Sequence, residues 1–349
     1  MTQSYSIRIE SNGTISIVNY FKGFAIFTIV VMHLIQNYIP SLPRYVHTMS
    51  SFGGTGVHLF FLCSGIGLYI SQLRCKRTYI GFLRRRFLKI YVPYIVIVLI
   101  SFFLSWMYHG SDRLCALFSH IFLFKMFVER YESSFGLQLW FISTIIQFYL
   151  IFIPLYQLKS KVKNHMFILL CLLLSVAWWL FIYLAKLDSI RIWNSFFLQY
   201  LWEFALGMVI GEYLYSGKTY YSAPPYIYIY IYVCIGVVFS GIQLAMVLFS
   251  EHLRPFNDIP ALTGYTSFAL FFCFFPIIRK ALLFVSSFSY ELYLVHILVF
   301  SSAFHFFNPQ GIIVETMIGI ASLVASCLIA YCYQLLLSEV KAIWKKSRS

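Results

Sequence analysis

Residues 16–39 read SIVNYFKGFAIFTIVVMHLIQNYI, and their reading decides the fold. One charged side chain, Lys22, stands among 24 residues. At about 1.5 Å rise per residue, a helix of that length spans the roughly 30 Å hydrocarbon layer of a bilayer. Similar apolar stretches, bounded by charges, Pro and Gly, follow at 55–73, 89–108, 138–157, 165–186, 191–214, 226–249, 260–278, 282–305 and 312–337. The pattern predicts an all-α polytopic integral membrane protein of about ten transmembrane helices. Composition agrees: 60% of the 349 residues are apolar and only 11% are charged, against roughly 25% charged in a soluble domain.

The net charge of +14 reports orientation here, not a nucleic-acid partner. With the N-terminus inside, 18 of the 26 basic residues fall in cytoplasmic segments and 7 opposite, with Lys22 inside the first helix. Both termini are therefore expected in the cytoplasm, with a tail at 1–15, a helical bundle at 16–337 and a basic tail at 338–349. The chain reads as one membrane domain. The apolar piece 114–128 is short and interrupted by Lys125, so it is expected to be interfacial or re-entrant. Eight scattered Cys, without CxxC or metal-ligand spacing, point to neither disulfides nor a metal. No cleavable signal pattern precedes the first helix, and Asn12-Gly13-Thr14 matches a glycosylation sequon only by its letters.

Ionisable side chains inside spans are costly and mark functional candidates. Asn19, Lys22 and His33 form one polar stripe along the first helix, because an 11-residue step returns to within roughly 20° of its starting direction. A histidine near neutrality is a natural general base; the alternative is a helix-packing hydrogen bond. The second span opens GGTGVHLFFLCSG over 53–65, where small residues favour close helix approach and His58 and Ser64 are pocket candidates. Arg84-Arg85-Arg86 and Lys89, before Pro93, anchor a cytoplasmic end; Arg85, Arg86 and Lys89 also suit the phosphates of a cytosolic donor. Trp140, Thr144 and Gln147 share a helical face, as pocket or as polar glue. Glu203 precedes the Gly207/Gly211 pair. Ser289, Tyr293 and His296 share another face, on the ninth span.

Together these segments resemble the bacterial membrane acyltransferase-three family. The carriers are Asn19, Lys22-Gly23-Phe24-Ala25 and His33; Gly56-Val57-His58-Leu59-Phe60-Phe61 with Ser64-Gly65; and the basic run from Phe82 to Pro93. Leu139-Trp140-Phe141 with Gln147-Phe148-Tyr149, Phe204 with Gly207, and Ser289-Tyr290 with Tyr293-Leu294 and His296 complete the series. Asn19 and Lys22 stand where Asp and Arg are common in the family, and Lys89 where Arg is usual.

The resemblance implies a multi-pass O-acyltransferase, an O-acetyltransferase by expectation, in a bacterial cytoplasmic (inner) membrane. Its donor would be acetyl-CoA or another acyl-CoA, with no permanently bound cofactor. Its acceptor would be a carbohydrate such as a polysaccharide or lipopolysaccharide, and polysaccharide-assembly proteins would be further partners. His33 and Lys22 are the expected catalytic residues. A transporter or flippase of glycan intermediates or small anions is the rival reading, since a polar stripe, Glu203 and a cationic mouth suit it too.

Overall fold

A computed structural model describes residues 16–216, 225–249 and 251–346. The expected tail 1–15 with its sequon, and Lys218 and Arg348, lie outside the described residues. Fourteen α-helices run in order: α1 Ser16–Tyr38, α2 Arg44–Ser50, α3 Gly56–Arg74, α4 Tyr79–Phe103, α5 Arg113–Ile121, α6 Trp140–Lys161, α7 Asn164–Leu184, α8 Arg191–Asn194, α9 Leu201–Tyr215, α10 Pro225–Phe249, α11 Asp258–Cys273, α12 Pro276–Ser286, α13 Ser289–Phe307 and α14 Ile312–Lys346. Short 3-10 turns fill several connections, and no strand occurs among the described residues.

Among the described residues, eight helices are long and apolar enough to cross a membrane, and the pair α11–α12 makes a ninth if counted as one span. That pair is bent by 115° at the residues before Pro276, whose ring lacks an N–H for the helix ladder and crowds the preceding turn. The expected spans 260–278 and 282–305 are thus redistributed: α12 lies between them and α13 begins only at Ser289. The expected span 191–214 is broken as well, into α8, a 3-10 turn at Phe197–Tyr200 and the 15-residue α9. The segment 114–128 holds α5, nine residues long, or about 14 Å, too short to cross. At the C-terminal end α14 continues to Lys346, so most of the expected basic tail extends the last helix.

The chain forms two compact units. Among the described residues, unit 1 comprises 16–25, 55–83, 144–216, 225–249 and 251–283, and unit 2 comprises 26–54, 84–143 and 284–346. In unit 1, α3 and α9 pack with their backbones nearly touching. A Cβ on Gly65 would strike the Phe204 carbonyl, one on Gly207 the Leu62 carbonyl, and one on Gly211 would lie 3.0 Å from the Ile66 carbonyl. Lipid tails are as apolar as leucine, so helices in a bilayer gain most from such close packing. Gly23 meets the Leu282 carbonyl of α12 in the same way. The aromatic motif residues converge beside this seam: Phe148 stacks on Phe204 at 4.4 Å and lies 5.2 Å from Phe61, which stacks on Tyr200 at 4.5 Å.

The break between α8 and α9 leaves peptide groups without helical partners, which is tolerated at membrane depth only when protein groups replace them. Here they do. Thr144 Oγ1 donates to the Ser195 carbonyl at 2.5 Å, and the Phe197 N–H donates to Gln147 Oε1 at 3.2 Å. Ser175 Oγ donates to the Leu198 carbonyl at 2.8 Å and accepts the Trp202 N–H at 3.2 Å, while Trp179 Nε1 donates to the Gln199 carbonyl.

In unit 2, α13 packs along α14, and Glu315 of α14 clamps the turn after α1 through Ser41. Tyr290 and Tyr333 donate to the carbonyls of Ile90 and Pro93, at 2.7 and 3.0 Å, tying the basic turn of α4 to α13 and α14. The loop before α6 turns at Gly136, whose φ of +138° is open to a residue without a Cβ.

Candidate functional site

Unit 2 brings His33 of α1 and His296 of α13 into direct contact. His33 is 8% exposed and His296 fully buried. Their rings lie within 7° of one plane with centroids 5.2 Å apart, and His33 Nδ1 is 2.9 Å from His296 Nε2. The rings therefore meet edge to edge.

The hydrogen positions follow from the partners. His296 Nδ1 lies 2.9 Å from the Leu292 carbonyl, which can only accept, so Nδ1 carries the hydrogen. Neutral His296 then presents Nε2 as an acceptor, and His33 Nδ1–H donates to it. His33 consequently carries its lone pair on Nε2. This is the arrangement of an oriented general base, in which a second group fixes the tautomer by binding the opposite nitrogen. Phe300 packs against His296 at 5.9 Å and Tyr38 against Phe300 at 5.5 Å, giving the pair an apolar wall. Tyr293 donates to the Gln138 carbonyl at 2.6 Å, so its hydroxyl fastens α13 to the turn before α6.

The other expected residues disperse. Lys22 is half-buried in unit 1, eleven residues before His33 in the sequence. Asn19 lies one turn further back, also half-buried. Thr144 and Gln147 satisfy the backbone break described above, and Trp140 is buried at the start of α6. Ser64 is half-buried beside the Gly65 contact. In unit 2, Arg85 and Lys89 are exposed and Arg86 half-buried on α4, ahead of the Ile90 and Pro93 carbonyls held by Tyr290 and Tyr333.

Unit 1 builds a second polar cluster. His58 Nδ1 lies 2.6 Å from Glu203 Oε1, and its Nε2 lies 3.8 Å from Asp258 Oδ1. Gln199 Nε2 donates to Asp258 Oδ2 at 2.8 Å. Sequence reasoning missed Asp258 and Gln199. Asp258 sits just outside the expected span 260–278, where an acid reads as a loop charge. Gln199 lies inside an expected span but is uncharged, so a search for ionisable groups passed over it.

Outside the spans, the loop before α6 buries Lys125 completely, its Nζ 3.4 Å from the Ser134 carbonyl. Burial pushes its amine down to about 7, with Glu132 opposing. His120, bridging Tyr94 and Ser134 at 2.7 and 2.8 Å, is held well below its ordinary value by burial and by Lys125.

The helices define a multi-pass membrane protein, with a hydrogen-bonded histidine pair buried in unit 2. A family model described as an acyltransferase domain matches residues 15–333, nearly the whole chain. The protein belongs to the acyltransferase-three family and is a membrane acyltransferase. Neither a curated protein nor a solved structure matches it.

Proposed function

We propose that the protein is a membrane O-acyltransferase that moves an acyl group, acetyl in the simplest case, from acyl-CoA to a hydroxyl of a cell-surface or exported glycan. The observation that carries this reading is the hydrogen bond from His33 Nδ1–H to His296 Nε2, which leaves the basic nitrogen of His33 in a fixed orientation. In the proposed reaction the acceptor hydroxyl gives its proton to His33 Nε2 as its oxygen attacks the thioester carbonyl carbon. The tetrahedral intermediate then collapses, the C–S bond breaks, and the departing thiolate takes the proton back from the imidazolium. The products are the O-acyl ester and free CoA.

Arg85, Arg86 and Lys89, on a turn of α4 fixed by two tyrosine hydrogen bonds, support docking of the CoA phosphates from the cytoplasm. Lys22, on the same helix as His33, is assigned to holding or polarising the donor. A bacterial inner-membrane location accompanies this reading.

The test is transfer of labelled acetyl from acetyl-CoA in membranes carrying equal amounts of wild type and His33→Ala. The variant is expected to lose about 10²- to 10⁴-fold. Full transfer by the variant would remove His33 as the base. Wild-type membranes that move a glycan without consuming acetyl-CoA would favour a transporter.

A further inference from the structure

We propose that His58, Asp258 and Glu203 form a binding site for a divalent transition-metal cation inside unit 1. These side chains come from α3, α11 and α9, and they offer ligand atoms that all lie within 4.8 Å of one another, the single such group among the described residues. Glu203 is fully buried and Asp258 is 5% exposed.

The hydrogen bonds around the cluster sort its atoms into holders and ligands. Glu203 Oε1, at 2.6 Å, accepts from His58 Nδ1–H, so Nε2 carries the lone pair and Glu203 holds the ring from its far side. Gln199 Nε2 binds Asp258 Oδ2 at 2.8 Å and the Pro255 carbonyl at 3.0 Å. Both are acceptors, which fixes the Gln199 amide and leaves Asp258 Oδ1 turned toward His58. Nε2 and Oδ1 then stand 3.8 Å apart. That is too far for a hydrogen bond but within the span of two ligands on one ion at about 2.0–2.1 Å each. A ligating histidine whose other nitrogen is held by a carboxylate is a recurring metal-site arrangement.

A second observation points the same way. Glu203 Oε2 and Gln199 Oε1 are buried and have no hydrogen-bond partner among the described residues. Both are acceptors, so the cluster is short of donors. Two buried carboxyl groups stand beside one imidazole, and a divalent cation supplies the partner they lack where an unpaired polar group is costly. An imidazole nitrogen with a carboxylate oxygen suits Zn2+ or Mn2+ better than Mg2+ or Ca2+, which favour oxygen alone. The sequence hides this site because its ligands stand 145 and 55 residues apart on separate helices.

The experiment uses the full chain, purified in detergent, stripped with EDTA and titrated separately with Zn2+ and Mn2+ in excess Mg2+. Bound metal is counted after desalting, and the zinc form is read by X-ray absorption. One equivalent of Zn2+ or Mn2+ is expected in the wild type and in His33→Ala, with binding at least tenfold weaker in His58→Ala and Asp258→Asn. Elution profiles without metal check that the variants fold. Gln199→Leu, which keeps His58, Asp258 and Glu203 but frees Asp258 to rotate, is expected to weaken binding less. Negligible uptake by the wild type, equal uptake by wild type and Asp258→Asn, or zinc–sulfur scattering from a cysteine site would each overturn the proposal. Because metal is counted directly, the outcome is independent of whether the acyl-transfer reading survives.

Discussion

His296 and His58 are both histidines held between helices, and their surroundings divide them. Around His296 every ring nitrogen has a neutral partner, His33 on one side and the Leu292 carbonyl on the other. The pair carries no obligatory charge, and its geometry settles which nitrogen can take a proton. Around His58 stand two carboxylates, and acceptor atoms of Glu203 and Gln199 lack donors. The first centre matches donors to acceptors, as the proposed base requires; the second leaves acceptors over, as the proposed cation site requires. Burial alone therefore does not predict what a membrane histidine does. The balance of donors and acceptors around it does.

The comparison can be broken most forcefully at the seam beneath the second centre. His58 and Glu203 belong to helices that meet through Gly65 and Gly207, so Gly207→Val, forced against the Leu62 carbonyl, is expected to abolish folded protein on detergent size-exclusion chromatography. Gly67→Ala, which opens onto space, should elute as wild type. Equal yields of the two would mean that the α3–α9 contact does not fix the cluster.

A smaller effect sharpens the first centre. His296→Phe keeps an aromatic ring but removes the acceptor of the His33 Nδ1 proton, so kcat for acyl transfer should fall about 10- to 10²-fold with KM for acetyl-CoA unchanged. His296→Asn, which can again accept, should recover part of the loss. An unchanged kcat in His296→Phe would show that His33 needs no partner to orient it.

A further expected effect, on stability and not on rate, concerns a third way of burying charge. Lys125 has a folded pKa of about 7 against roughly 10.4 in an unfolded chain, so the unfolded state binds the extra proton between these values. Stability should rise as pH increases from 7 toward 10 and be flat below 7. Thermal midpoints of wild type and Lys125→Met over that range check this, and parallel curves would refute it.

The membrane class was legible because apolar length needs no tertiary information, and eight of the expected spans appear as helices of spanning length or nearly so. The bend before Pro276 was less visible, since Phe271 to Phe275 keep the apolar run continuous across it. The break at 195–200 was invisible for a related reason: its backbone groups are satisfied by Thr144, Gln147, Ser175 and Trp179, residues remote in sequence. His33 and His296 could each be singled out from their own helices, but their hydrogen bond spans 263 positions and no periodicity encodes it. Asp258 escaped because the limits of a span, where sequence reading is weakest, decide whether an acid counts as inside.

Ser175 has a consequence of its own. One hydroxyl oxygen gives its proton to the Leu198 carbonyl and takes one from the Trp202 N–H, so it acts as a splice, standing in for the turn of helix the backbone omits. A splice of one atom has little redundancy. Alanine would unseat both strands of the join at once, and cysteine would offer a longer, weaker link in each direction. An inconspicuous serine on an otherwise greasy helix thereby sets the phase at which α9 resumes, and with it the heading of Glu203.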